Sequence, residues 1–123
     1  MNALLVFVGG GIGAVSRYLL SLAAVRLWGA GFPFGTLVAN MIGVFVIGLF
    51  FGLAERFSFL TGSARLFFVT GFLGGLTTFS SFGWETVKLA GDGLLTLALT
   101  NFLVNNLVGL SLVVAGMWLG KSI

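Results

Sequence analysis

Residues 70–82 read Thr70-Gly71-Phe72-Leu73-Gly74-Gly75-Leu76-Thr77-Thr78-Phe79-Ser80-Ser81-Phe82. The run lies midway along an apolar stretch, roughly Leu66–Leu89, long enough to cross a bilayer as a helix. Glycine is a poor helix former and frees the backbone. Threonine and serine hydroxyls bond the backbone groups that a broken helix releases. Their density over Gly71–Ser81 predicts a break in the helix at mid-membrane depth. Non-helical backbone survives there only when it is buried in protein or lines water. Two half-helices then meet at one point. The C-terminal end of the first offers carbonyls suited to a dehydrated cation such as Na⁺. The N-terminal end of the second offers N–H groups suited to an anion.

Outward from this run, three more stretches have spanning length: roughly Ala3–Trp28, Phe34–Ala54 and Leu94–Leu119. Gly29-Ala30-Gly31-Phe32-Pro33 punctuates the first connection, Glu55-Arg56 ends the second span, and Gly91-Asp92-Gly93 separates the third from the fourth. No basic residue precedes Ala3–Val8, so the N-terminal stretch reads as the first span rather than a cleaved signal. The chain is thus expected to be one all-α integral membrane domain over residues 1–123, with four transmembrane helices and a broken third. Only 7% of the residues are charged, against about a quarter in soluble domains. The solvent for the outer face is therefore lipid. Cysteine and histidine are absent, which excludes disulfides, thiolate sites and the usual proton shuttle. The six basic residues are scattered singly, which argues against a nucleic-acid partner.

Four crossings place Arg56, Arg65 and Lys121 on the side of the termini and Arg26 and Lys88 on the other. A difference of about one charge barely orients the chain, so insertion in both directions is expected. The glycines of the first span (Gly9, Gly10, Gly11, Gly13) and of the second (Gly35, Gly43, Gly48, Gly52) read as close-packing positions, with Gly48-x-x-x-Gly52 the clearest.

Polar groups in a span are costly and mark function. Arg17 stays charged, so it either snorkels beside Tyr18 or draws anions into a vestibule. Asn40, central in the second span, offers amide donors to a dehydrated anion or to a neighbouring helix. Asn101, Asn105 and Gly109 fall at i, i+4, i+8 on one face of the fourth span, with Asn106 pointing elsewhere. Phe79 and Phe82, at i, i+3, share a face; core or lipid-facing packing is the ordinary reading of such rings, while their electropositive edges can also stabilise an anion. Glu85 reads as an interfacial acid.

Gly10-x-x-Gly13-Ala14-x-x-Arg17-Tyr18, Gly35-Thr36-Leu37-x-x-Asn40-x-x-Gly43 and Gly71–Phe82 together resemble the Fluc/CrcB family of bacterial fluoride channels over essentially the whole chain. The resemblance implies a passive fluoride exporter of the bacterial cytoplasmic (inner) membrane, built as a dual-topology homodimer of antiparallel subunits with two pores. It implies a structural Na⁺, not transported, held by main-chain carbonyls of Gly74 and Thr77. It implies an anion path along Asn40, Phe79, Phe82, Ser80, Ser81 and Arg17. Asn101 and Asn105 stand where many members carry a tyrosine and serines, and are expected to continue the anion path with other chemistry. Leu73 replaces a frequent cysteine, and Ser81 a frequent threonine. No catalytic residue is implied. A proton-coupled multidrug exporter of this size would need a carboxylate in the first span, and none is present. A purely structural membrane subunit would leave the polar groups without a purpose.

Overall fold

The computed structural model describes all 123 residues and contains helices and turns only. Four helical stretches are long and apolar enough to cross a membrane. The first, α1, runs Asn2–Trp28, and α2 runs Phe34–Ala54. The third stretch, Ser63–Gly91, consists of two half-helices: α3, residues 63–76, and α4, Phe79–Gly91. The fourth, α5, runs Leu95–Ser122. Gly29, Gly62 and Gly93 take positive φ at the turns between them, a conformation that other residues reach only with strain.

The break is narrower than the glycine density suggests. Gly71–Leu76 remain helical, with a π-helical pattern over Leu66–Leu73. Ser80 and Ser81 already belong to α4. Only Thr77 (φ −80°, ψ 154°) and Thr78 (φ −151°, ψ 115°) are extended. Every unpaired backbone group in hydrocarbon is expensive, so the helix persists until side chains can replace its bonds. Gly71 and Gly75 serve packing instead. Gly71 lies against the backbone of Val6 and Gly9, and Gly75 against that of Gly10 and Ala14. Gly9 and Gly13 of α1 in turn press on the backbone of Phe67 and Phe72.

The same device joins α2 to the second half of α5. Gly48 and Gly52 meet the backbone at Val113, Met117 and Gly120, while Gly116 and Gly120 meet it at Phe45, Leu49 and Leu53. The α5 partner motif, Gly116-x-x-x-Gly120, has the same small-residue spacing as Gly48-x-x-x-Gly52. Among the first-span glycines, Gly11 meets nothing and faces outward.

Only 20 of the 123 residues are buried, so most side chains must be covered by something other than this chain. Phe7, Leu19, Trp84, Leu110 and Trp118 are each more than half exposed. An apolar exterior of this extent is sustained in lipid and not in water. The chain is a multi-pass membrane protein.

A methyl group at Gly48 or Gly116 has no room, because the nearest atoms belong to a facing helix backbone. Gly48→Ala and Gly116→Ala should each destabilise the protein by about 1–3 kcal/mol, the usual cost of overpacking. Gly11→Ala should be neutral or slightly stabilising. Unfolding of the purified variants in detergent measures the difference.

Candidate functional site

The two extended residues sit beside Asn40 of α2. The Thr78 N–H, which a continuous helix would direct to the Gly74 carbonyl, donates instead to Asn40 Oδ1 at 2.8 Å. Asn40 Nδ2 returns a bond to the Thr78 carbonyl at 3.2 Å. One carboxamide thus satisfies both backbone groups of Thr78. Because a backbone N–H can only donate, this pairing fixes which side of the Asn40 amide is oxygen. On the far side of the break, the Thr78 hydroxyl caps α4 by accepting from the Ser81 N–H at 3.1 Å. The same hydroxyl lies 3.2 Å from Ser80 Oγ and donates to Ser81 Oγ at 3.1 Å.

Asn40 Nδ2 also donates to Asn105 Oδ1 at 3.1 Å. Asn105 Nδ2 donates to the Asn101 carbonyl and to Asn101 Oδ1, at 2.9 and 3.0 Å. Three asparagines on two spans therefore form one connected series. Asn101 is 0% exposed, so it lies behind the site and not on its surface. A π-helical turn over Val104–Val108 interrupts α5 here. Its wider turn reduces the angle between successive residues, and Asn106 comes round to the same cavity as Asn105. The even α-helical spacing that sent Asn106 elsewhere does not hold across that turn.

Two cavities flank this junction. The inner one, about 220 Å³, is lined by Asn40, Thr77, Thr78, Phe79, Phe82 and Asn105, among others. The outer one, about 450 Å³, opens between the Gly29–Pro33 turn, the start of α2 and the end of α4. Thr36 and Glu85 line it, with Lys88 and Asp92 paired at 2.7 Å on its rim. Thr36 precedes Asn40 by four residues on α2, and Glu85 follows Phe82 by three on α4. Both steps are close to one helical turn, roughly 5–6 Å. The cavities are therefore about one turn apart along two helices, and together they form a polar column from the Gly29–Pro33 turn to the break.

The phenylalanines differ in setting. Phe82 is buried and stacks on Phe102 at 6.4 Å and 26°, whereas Phe79 is 82% exposed. Their ring centroids are 5.6 Å apart and tilted by 55°. Both line the inner cavity. Ser80 is exposed and Ser81 half-buried beside them. Arg17 is half-buried in α1, without an ion pair, and lines neither cavity. Gly74 is exposed and Thr77 half-buried on the outer face of the break. The extended ψ of Thr77 turns its carbonyl out of the helix direction, and no backbone N–H reaches it.

Two groups of the column carry more than the sequence suggested. Glu85 is not a free interfacial acid: Oε1 accepts from Thr36 Oγ1 at 2.7 Å, and Oε2 is enclosed without a donor. Thr36 is the second polar group of the column that side-chain type alone does not mark as functional. Its place one turn before Asn40 was the available signal.

Asn40→Leu should leave the Thr78 N–H and carbonyl without partners. An unsatisfied buried polar group costs about 1–3 kcal/mol, so the variant should lose at least that much stability. Asn40→Asp keeps the acceptor for Thr78 but sets a carboxylate against the Thr78 and Asn105 oxygens, and should be no better. Wild-type unfolding in either variant would show that the break holds itself.

Relatives match this arrangement along nearly the full chain. The family described as "CrcB-like protein, Camphor Resistance (CrcB)" matches residues 4–117. A protein of Clostridium perfringens named "Fluoride-specific ion channel FluC" is 40% identical over 119 residues, covering 97% of this chain and 93% of that one. A protein of the same name from Legionella pneumophila is 46% identical over 119 residues, 96% of this chain and 88% of its own. Another from Agrobacterium fabrum is 44% identical over 123 residues, 100% of this chain and 98% of its own. The match begins in α1, crosses the break and the asparagine series, and runs to the last turns of α5; the chain belongs to the CrcB family.

Proposed function

We propose that the chain is a fluoride-selective channel that lets fluoride leave a bacterial cell passively through the inner membrane. The observation that carries this reading is the convergence of Asn40, Thr78, Phe79, Phe82 and Asn105 on one mid-span cavity, in a chain whose relatives bear that channel's name. Passage is transport down a gradient and requires no catalysed reaction.

Fluoride holds its water tightly, so a pore must replace that water with donors and still release the ion. The N-terminus of α4, capped by Thr78 and beginning at Phe79, borders the cavity and brings a positive dipole end to it. The Ser80 hydroxyl and the ring edges of Phe79 and Phe82 supply further positive contacts. The two hydrogens of Asn40 Nδ2 are already committed to Thr78 and Asn105. Its role is then to hold the break open for the anion more than to hydrate it. Arg17, charged and unpaired, adds attraction at longer range.

The working unit in this reading is an antiparallel homodimer. The exposure of Phe79 and Gly74 supports it, since both lie where a single chain leaves the break uncovered. So does the near balance of loop charge, with Arg56, Arg65 and Lys121 at one end and Arg26 and Lys88 at the other. The carbonyls of Gly74 and Thr77, one deprived of its helical donor and one turned outward, fit a hard monovalent cation. Two oxygens are only part of a shell, and a symmetric copy doubles them. A structural Na⁺ at that seam would tie the two breaks together.

Proteoliposomes loaded with fluoride or chloride, without a proton gradient, test the function. Fluoride should leave and chloride should stay. Phe82→Ile should abolish fluoride efflux while the protein still purifies as the wild-type assembly. Wild-type flux in that variant would sink the phenylalanine role. Exchange of all Na⁺ for N-methylglucamine should lower flux and loosen the dimer; unchanged behaviour would discount the ion.

A further inference from the structure

The asparagine series does not end at Asn101. Asn101 Nδ2 donates to Thr86 Oγ1 at 2.9 Å, and Thr86 Oγ1 donates to the Phe82 carbonyl at 2.7 Å. The other end of the series is the Thr78 N–H on Asn40 Oδ1. Both ends therefore fall on the same stretch of backbone, Thr78 and Phe82, which encloses Phe79, Ser80 and Ser81. The hydrogen bonds and the intervening backbone form a closed ring that runs through α2, α5 and α4. Its direction is fixed twice over. The Thr78 N–H can only donate and the Phe82 carbonyl can only accept, so each amide between them has a single allowed orientation.

We propose that Asn101 and Thr86 are positioning residues for anion selectivity: through this ring they lock the turn that presents Phe79 and Phe82 to the pathway. Neither is among the residues that line the inner cavity, and the Asn101 side chain is fully enclosed. Asn101 lies on α5, whereas the turn it holds lies on α4, so the ring pins the turn to a second span. Thr86 holds that turn from one helical turn below. Phe82 stacks on Phe102, the residue next to Asn101, so the same region of α5 fixes both the backbone and the ring of Phe82. A pore that rejects a larger halide needs its walls held to a fraction of an ångström, and a closed network resists relaxation better than an open one. The inference rests on the reading of Phe82 as a pathway residue.

The ring can be opened without removing a helix bond. Thr86→Val deletes the hydroxyl at constant shape, and Thr86→Ser restores it. Asn101→Leu removes the amide, while the backbone of Asn101 still accepts from Asn105. Fluoride and chloride efflux from proteoliposomes, with thermal unfolding of the same preparations, reads the outcome. Thr86→Val and Asn101→Leu should each lower the fluoride-to-chloride ratio by about tenfold, within the range by which contacting residues couple. The double variant should be no worse than the worse single, because one ring can be opened only once. Thr86→Ser should match the wild type. A Thr86→Val channel with wild-type selectivity overturns the proposal, as does lower flux at an unchanged ratio, which would mark a purely structural role. Should Asn101→Leu fail to fold, the Thr86 pair decides alone. Phe82→Ile separates the two levels. If it conducts normally, both readings fall; if it is silent and Thr86→Val is normal, only the ring falls.

Discussion

Two residues of extended backbone at mid-membrane depth must have their polar groups satisfied, and the Asn40–Thr78 pairing meets that constraint. The rest of the site depends on it. A helix interrupted in hydrocarbon would otherwise leave a buried N–H and a buried carbonyl with no water to receive them. By answering both with one carboxamide, α2 allows the third span to stop and restart within two residues. The restart supplies a capped helix N-terminus, and the stop leaves carbonyls with no helical donor. Opposite ends of two short helices are thereby brought together at one depth, which no continuous helix could do.

The packing of the subunit follows from the same economy of space. Asn40 can reach the break only if α2, α3 and α1 lie close, and glycines make the approach. Gly43 meets the Thr77 side chain directly, one turn from Asn40. Gly48 and Gly52 then clamp α2 to α5, which brings Asn105 within reach of Asn40. Lipid supplies no hydrophobic drive between helices, so backbone-to-backbone contact has to hold them. The small residues that carry that contact therefore also set the reach of the polar groups.

Much of this was legible in the residues. The number of spans and the presence of a break in the third followed from hydropathy and from the density of glycine, threonine and serine over Gly71–Ser81, because lipid makes those rules nearly binding. The width of the break did not. Gly71, Gly74 and Gly75 signal equally a loosened backbone and a close contact, and only the position of α1 decides between them. The asparagines were visible as a stripe, but Asn101 turned out to be enclosed and Asn106 to face the cavity. Asn106 sits in the π-helical turn at Val104–Val108, which period-3.6 reasoning cannot anticipate, while Asn101 lies ahead of that turn and is held by Thr86 and Asn105, a partnership that spacing does not reveal. Glu85 reads as an interfacial acid because such acids are common in membrane proteins, and its bond to Thr36, 49 positions away in sequence, was beyond the reach of local spacing.

The asparagine series has one more consequence, for hydrogen ions. A chain of water or of hydroxyl and imidazole groups can pass a proton by exchanging which atom donates. A carboxamide can do so only through an unfavourable tautomer, and here each amide orientation is held by a backbone group at either end. The polar lining beside the column is therefore a poor proton wire, although it is continuous across three helical segments. A membrane protein can in this way keep a hydrophilic interior for an anion while denying the cell's proton gradient a parallel route.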